Sequence, residues 1–140
     1  MKYLLDTNVW VDYLNQRYPR LIERVLAANP DDLVLSAIVL AELRYGADKS
    51  QRQQRNHARI DVLVREVPIL DFDEAAAATF GALRSRLELS GTPIGAYDML
   101  IGAQALSRDF ILVTDNEREL RRIPELRVEN WRLESGEKSR

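Results

Sequence analysis

"YLLDTNVW", residues 3–10, places an aspartate directly behind a short apolar segment near the start of the chain. Residues 3–6 predict a short strand, and residues 7–14 predict one or two helical turns that begin with Thr7 and Asn8. Asp6 has two readings. It caps the helix that follows, as aspartate commonly does, or it belongs to a site beyond the end of the strand. The second reading gains weight only if other acids occupy equivalent positions.

The composition is that of a soluble globular protein with one domain. The chain has 140 residues, of which 46% are hydrophobic and 30% charged. No apolar run approaches the roughly 20 residues that span a bilayer, and the N-terminus reaches an acid too early for a signal peptide. We therefore expect a cytoplasmic protein without a membrane partner.

Cysteine content and charge narrow the chemistry further. The absence of cysteine excludes disulfides and thiolate metal sites. The net charge of −2 argues mildly against a nucleic-acid binder. That argument fails if positive charge is segregated into patches or if a cluster of acids holds cations.

Strand and helix patterns alternate along the chain. The predicted strands cover residues 3–6, 33–36, 67–70, 110–114 and 127–131. The predicted helices cover residues 7–14, 19–29, 37–48, 51–65, 73–88 and 95–107, with Ser36 as an N-cap. This alternation predicts an α/β protein with a parallel sheet that is covered on both faces.

Four acids have unusual positions in this pattern. Asp6 and Asp115 each close a predicted strand, so a parallel sheet places both at the same edge. Glu42 and Asp98 lie on helix faces whose other members are apolar or small. Acids are almost never fully buried without a partner. No lysine or arginine lies within a turn on those two faces, so the acids lack a local counter-charge.

If these acids lay close together in the fold, a bound cation or bound protons would have to reduce the repulsion between them. Carboxylates within about 5 Å of one another repel by about 3 kcal/mol per pair at an effective dielectric constant near 20. Oxygen ligands, in a chain without cysteine and with one histidine, suit Mg²⁺ or Mn²⁺ rather than zinc. Such ions hold phosphates and activate water. The pattern therefore favours a metal-dependent phosphoesterase.

Each acid also has an ordinary explanation. Asp6 and Asp115 could each cap a helix, and Thr114 with Glu117 reads as a capping box. Glu42 and Asp98 could pair with arginines from elsewhere in the fold. Asp12 is read as an ordinary cap, turn or surface acid. A non-catalytic binding module stays open as well, and it predicts no loss of activity on Asp6→Ala.

Five blocks of the sequence, in order, resemble the PIN-domain toxins of bacterial toxin–antitoxin pairs, the VapC family. The resemblance extends from residue 3 to about residue 131, and its blocks are "LLDTNVWVDYL", "LSAIVLAELRYGADKS", "GTPIGAYDMLIGAQAL", "LVTDNERELRRIP" and "LRVENW". It implies a three-layer α/β/α PIN-like nuclease domain with a central parallel sheet over residues 1–133. The polar residues 134–140 are predicted to be a flexible tail.

The resemblance also implies an activity and partners. The family consists of Mg²⁺- or Mn²⁺-dependent endoribonucleases that form homodimers and are held inactive by a small VapB-type antitoxin. Their catalytic acids correspond to Asp6, Glu42, Asp98 and Asp115 in this sequence. Asp6 and Asp98 are the implied metal ligands, and Glu42 and Asp115 are further candidates.

Two stretches narrow the implied substrate. "ELRYGADKS" and "GTPIGAYD" are most similar to the branch that cuts initiator tRNA in the anticodon loop, where the position of Asp115 is often asparagine. The alternative is another PIN-type metal-dependent nuclease that acts in RNA processing or on DNA. In the family, hydroxyl and amide side chains next to the acids orient the carboxylates or a water molecule. The corresponding residues here are Thr7, Asn8, Thr114 and Asn116.

Basic and aromatic residues suggest contacts around the acids. Residues 49–60 contain several basic residues and no acid. These basic residues could bind RNA phosphates, or they could form an ordinary solvated helix face. The candidate RNA contacts are Lys49, Arg52, Arg55 and Arg118. Trp10 and Tyr13 share a helix face, where they could stack on a base or pack in the core or an interface. With the helix at 37–46, they are candidate walls of an antitoxin groove.

Overall fold

Five parallel strands form the central sheet in the computed structural model, which describes residues 1–133. The strands are β1 Tyr3–Leu5, β2 Leu33–Ser36, β3 Ile69–Leu70, β4 Ile111–Val113 and β5 Val128–Glu129. Their order is β3-β2-β1-β4-β5, and every neighbouring pair is parallel. The predicted α/β architecture is confirmed. The predicted tail, residues 134–140, lies outside the described residues.

Seven α-helices flank the sheet within residues 1–133. They are α1 Thr7–Leu14, α2 Pro19–Ala27, α3 Ala37–Lys49, α4 Gln53–Glu66, α5 Glu74–Leu89, α6 Ala96–Arg108 and α7 Glu117–Leu120. A 3-10 turn, Pro30–Asp32, precedes β2. None of the helices in this part of the chain is long and apolar enough to cross a membrane.

The strands and helices begin and end within a few residues of the predicted positions, for local reasons. β1 ends at Leu5 because Asp6 becomes the N-cap of α1, and its side chain accepts a hydrogen bond from Val9 N. Asp73, predicted to be helical, caps α5 in the same way through Ala76 N. The sequence pattern missed α7 and the 3-10 turn, since each is about one turn long.

The core lies on both faces of the sheet. Leu4 and Leu5 of β1 and Leu112 and Val113 of β4 are all buried, as expected for strands that are covered on two sides. Trp10 is fully buried and packs edge-on against the Tyr13 ring. Trp10 is therefore a core residue and cannot stack on a base.

The order in which strands are added to the sheet changes side between β1 and β4, and we call this position the strand reversal. It passes from β1 outward to β2 and β3, and then returns to place β4 on the other side of β1. Parallel α/β sheets bind ligands at the carboxyl ends of strands that flank such a reversal. Asp6 N donates to Val113 O at 3.0 Å, so the ends of β1 and β4 are joined directly beside this position.

Candidate active site

Asp6 is both a helix cap and a buried acid at the strand reversal. Its side chain sits in a residue that is 8% exposed. Oδ1 accepts a hydrogen bond from Val9 N at 3.0 Å. Oδ2 accepts a hydrogen bond from the Thr114 hydroxyl, which follows β4. Asp6 thus caps α1 through Oδ1 and contacts the end of β4 through Oδ2, so the two interpretations of Asp6 from the sequence are compatible.

Glu42 reaches the same region from the second turn of α3. That helix begins where predicted, because Ser36 Oγ accepts hydrogen bonds from Ile38 N and Val39 N. Glu42 is half-buried, and its Oε1 accepts a hydrogen bond from Thr7 Oγ1 at 2.8 Å. Thr7 therefore fixes the Glu42 carboxylate from the start of α1.

Asp98 lies in the first turn of α6, where the helix dipole favours a negative charge. Its Oδ2 accepts a hydrogen bond from Asn116 Nδ2 at 3.2 Å. The same amide donates to Glu119 Oε2 at 3.1 Å. The Asn116 amide therefore links Asp98 to a further acid, Glu119, which the sequence reasoning missed. Asp115 precedes Glu119 by about one helical turn, so a prediction of α7 would have placed Glu119 near the other acids.

Asp115 has a different environment from the other three acids. Its Oδ2 lies 2.8 Å from Arg132 Nη1, while its Oδ1 is buried without a hydrogen-bond partner. The prediction that Asp115 caps a helix is wrong. The N-cap of α7 is Asn116, which forms no side-chain cap. Thr114 Oγ1 accepts instead from Asn116 N at 3.0 Å, and Glu117 pairs with Arg121.

Burial and neighbouring acids raise the pKa of Asp6 to about 6. Burial is the largest cause, and the hydrogen bonds from Thr114 and Val9 oppose it. The negative charges of Asp115 and Asp98 raise the pKa further. Like-charge repulsion therefore acts in the direction expected from the sequence, but it ranks behind desolvation.

The pKa of Asp98 is also raised, again with burial as the largest cause. The charge of Glu119 comes next, the Asn116 hydrogen bond opposes the shift, and Glu42 and Asp115 add to it. Asp98 is thus close enough to interact with each of the other acids of this cluster. The structure brings together Asp6, Glu42, Asp98 and Asp115, and it adds Glu119.

The donor atoms of this acidic pocket suit a hard divalent cation, although protein donors hold several of them. Among residues 1–133, no three acidic or histidine side chains form a metal-binding arrangement as they stand. Glu42 is held by Thr7 and Asp98 by Asn116. The available donors are carboxylate oxygens, including the buried, unpartnered Asp115 Oδ1, and such oxygens are the preferred ligands of Mg²⁺ and Mn²⁺.

Other predicted residues differ in their relation to the pocket. Thr7, Thr114 and Asn116 each contact an acid, whereas Asn8 is exposed and makes no hydrogen bond to the four acids in the described structure. The candidate RNA contacts are exposed and, within residues 1–133, have no acidic partner; they are Lys49, Arg52, Arg55 and Arg118. The reading of Asp12 as an ordinary surface or turn acid is wrong. It is 3% exposed and pairs with Arg132.

Comparison with known proteins identifies the family of the chain. The sequence model of the PIN domain matches residues 3–126. The chain belongs to the PIN-domain family. It is 38% identical to the tRNA(fMet)-specific endonuclease VapC of Shigella flexneri and to the ribonuclease VapC2 of Rickettsia felis. Each alignment covers 94% of this chain and 98% of the relative.

Solved structures of VapBC complexes are similar to this chain as well. DNA-bound VapBC from Salmonella typhimurium superposes with a TM-score of 0.88 at 38% identity, over 94% of this chain and 98% of that one. These relatives identify the protein as a VapC-type endoribonuclease of the toxin–antitoxin class. The fold and family implied by the sequence resemblance are confirmed.

Proposed function

We propose that this PIN domain is the toxin of a type II toxin–antitoxin pair and a Mg²⁺-dependent endoribonuclease that cuts tRNA, with Mn²⁺ as an alternative ion. The observation that carries the proposal is the meeting of Asp6 and Asp98 at the strand reversal. Asp6 is buried and Asp98 is half-buried, and each raises the need for a cation because neither has a basic partner in the described chain.

We assign the acidic residues different roles toward a cation. Asp6 and Asp98 would hold it, while Glu42 and Asp115 would add further oxygen atoms, among them the buried and unpartnered Asp115 Oδ1. A divalent cation, when bound, supplies positive charge that polarises a phosphodiester and activates water for attack. Hard oxygen donors with two or more carboxylates match this requirement.

The chain's own residues orient these groups before substrate arrives. Thr114 and Val9 N hold the two Asp6 oxygens in fixed directions. Thr7 occupies Glu42 Oε1, which leaves Oε2 to accept a proton from an attacking water. Fixed dipoles and carboxylates of this kind reduce the reorganisation that the reaction requires.

We infer initiator tRNA as the substrate. The support is the similarity to a relative named as a tRNA(fMet)-specific endonuclease. The exposed cations Lys49, Arg52, Arg55 and Arg118 would contact tRNA phosphates.

A substrate panel tests this proposal. Purified protein is incubated with Mg²⁺ and initiator tRNA, an elongator tRNA, linear single-stranded RNA or single-stranded DNA of matched length. We expect cleavage of initiator tRNA within the anticodon loop and no cleavage of DNA. Equal cleavage of DNA and RNA would favour the alternative, a PIN-type nuclease that acts in RNA processing or on DNA.

An apolar groove beside the pocket supports inhibition by a VapB-type antitoxin. A cavity of about 190 Å³ between α1, α3 and α4 is lined by Leu14, Leu43 and Ile60, and Glu42 lies at its wall. A second cavity of about 330 Å³ shares Leu14 and Arg59 with the first and is lined by Tyr13 and apolar residues of α2 and α4. We propose that an antitoxin segment lies in this groove and directs a basic side chain at Glu42 and Asp6.

The predicted walls of this groove are correct in part. Tyr13 and α3 line the cavities. Trp10 is fully buried and offers no surface to a partner.

Competition between antitoxin and cation tests the mode of inhibition. An antitoxin arginine would pair with the same carboxylate oxygens that bind the cation. We expect added Mg²⁺ to weaken antitoxin binding, measured by calorimetry, and Asp6→Asn to weaken it as well. An affinity that is indifferent to both changes would place inhibition elsewhere, for example along residues 49–59.

We also propose a homodimer. Large apolar side chains outside the groove stay exposed, among them Leu89 at 87%, Tyr45 at 66% and Tyr97 at 59%, and such residues favour association when they form contiguous patches. Analytical ultracentrifugation should give the dimer mass at micromolar concentration. A monomer throughout that range would contradict the proposal.

A further inference from the structure

Arg132 joins two carboxylates from different parts of the fold. Its Nε donates to Asp12 Oδ2 at 2.9 Å, and its Nη2 also pairs with that oxygen. Its Nη1 lies 2.8 Å from Asp115 Oδ2. Arg132 follows β5 at the end of the described chain, whereas Asp12 lies in α1. Arg132 therefore connects α1 to the segment that follows β4.

The position of Arg132 is fixed by groups outside the acidic pocket. Asp12 is 3% exposed, and a buried carboxylate requires a charged partner. The guanidinium also lies 4.4 Å from the centre of the Tyr18 ring, which favours a cation over its face. The charge of Asp12 offsets part of the Arg132 charge, and Arg132 also interacts electrostatically with Asp115. Arg132 therefore holds the Asp115 carboxylate in place and also offsets part of its charge.

Only one oxygen of Asp115 is left for a ligand. Arg132 occupies Oδ2, while Oδ1 is buried and has no hydrogen-bond partner. Buried polar atoms without partners are rare and need an explanation. Asp115 lies close enough to Asp6 and Asp98 for its charge to act on both. A cation in the pocket would give Asp115 Oδ1 the partner that the protein does not supply.

We propose that Arg132 is a positioning residue that holds Asp115 with Oδ1 directed at the acidic pocket, and that Asp12 in turn holds Arg132. The proposal rests on the proposed function only in that the pocket binds a divalent cation. It predicts that Asp115 contributes one oxygen atom and that Arg132 and Asp12 act on cation affinity through Asp115 alone.

A double-mutant cycle on Mn²⁺ affinity tests this proposal. Mn²⁺ binding to the full chain is measured by electron paramagnetic resonance, without RNA, for wild type, Arg132→Gln, Asp115→Asn and the double variant. We expect Arg132→Gln to weaken binding by about tenfold, the lower end of the effect of residues that orient ligands. In the Asp115→Asn background, the same change should cause no further loss.

Two further variants separate positioning from folding. Arg132→Gln leaves the buried Asp12 with only the longer ion pair to Arg17 at 3.9 Å and can destabilise the fold, so the combination Asp12→Asn with Arg132→Gln removes both charges together. It should keep the thermal transition and still bind Mn²⁺ about tenfold more weakly. Arg132→Lys should restore part of the affinity, because an ammonium pairs with one carboxylate but lacks the planar fork that bridges two.

Arg127→Gln is the matched control, since Arg127 forms an exposed ion pair with Asp109. It should bind Mn²⁺ as wild type does. The positioning role is overturned if Arg132→Gln binds Mn²⁺ as tightly as wild type, or if it loses the same factor with and without Asp115. Failure of the wild type itself to bind Mn²⁺ would overturn the proposed metal-dependent function and, with it, this role.

Discussion

At the scale of single residues, the ionised carboxylate of Asp6 lowers the stability of the fold, although the proposed function needs it. Its hydrogen bonds from Val9 N and Thr114 favour the carboxylate, yet burial dominates and raises its pKa from 3.8 to about 6. A raised pKa in an acid means that the folded state disfavours the charged form. This cost to folding is fully present above pH 6 and is relieved as the pH falls toward 4.

We predict that Asp6→Asn changes the pH dependence of stability. The ionised carboxylate costs about 3 kcal/mol near pH 7.5, because each unit of pKa corresponds to about 1.4 kcal/mol. The free energy of unfolding of the variant, minus that of wild type, should therefore be about 2 kcal/mol larger at pH 7.5 than at pH 4.5. Urea unfolding in the presence of EDTA measures both values. A difference that does not change with pH would contradict the cause assigned to the shift.

Residues whose roles depend on distant partners were the ones that the sequence could not reveal. Asp6, Glu42, Asp98 and Asp115 stand out because a strand end or an apolar helix face makes an acid unusual at that position. Asp12 and Arg132 give no such signal, since nothing local indicates that Asp12 is buried or that Arg132 returns to it. Their pairing arises only from the tertiary fold.

At the scale of elements, α3 links the stability of the fold to the position of Glu42. Ser36 begins this helix as its N-cap, and its hydroxyl also donates to Gln104 Oε1 of α6. Ser36 and Gln104 are both buried, so neither can exchange this hydrogen bond for one with water. One hydroxyl thus fixes α3 relative to α6, and with it Glu42 relative to Asp98.

We predict that Ser36→Ala destabilises the protein by about 2 kcal/mol, because it removes a cap and leaves a buried amide oxygen unpaired. Urea unfolding at neutral pH gives the value. Ser90→Ala is the control: Ser90 Oγ donates to Arg86 O at an exposed helix end, and its loss should cost about 0.5 kcal/mol or less. Equal effects of the two changes would refute the assigned role of Ser36.

Elements with a long, regular pattern were predictable, and single turns were not. The parallel sheet, the helices α1–α6 and the cap at Ser36 all follow from periodicity and capping residues. α7, Glu117–Leu120, is too short to show a period, and its N-cap Asn116 makes no side-chain cap. That omission hid Glu119, because only a helical turn after Asp115 places it beside Asp98.

At the scale of the whole molecule, the net charge of −2 requires RNA to bind through segregated positive charge. Five acids meet in the pocket, whereas Arg52 and Arg55 are exposed at the start of α4 without acidic partners in the described residues. Phosphate contacts release counterions, so RNA affinity should fall with salt concentration.

We predict that Arg55→Gln weakens tRNA binding and lowers the slope of log affinity against log salt by about one. Arg127→Gln, which removes the same charge from an exposed ion pair elsewhere, should leave the slope unchanged. Fluorescence anisotropy in EDTA measures binding without cleavage. A slope that stays the same in Arg55→Gln would remove this residue from the RNA path.

The central claim is that the acids at the strand reversal hold the divalent cation that cuts RNA. Its most direct measurement is the rate of initiator tRNA cleavage in Mg²⁺ by wild type, Asp98→Asn and Asp109→Asn. Asp109 is an exposed acid at the end of α6 with φ of 58°, a conformation that asparagine also adopts readily. We predict cleavage by wild type that EDTA abolishes, a loss on the order of 100-fold in Asp98→Asn with an unchanged fold, and a normal rate in Asp109→Asn. An undiminished rate in Asp98→Asn, or cleavage that persists in EDTA, would contradict the claim.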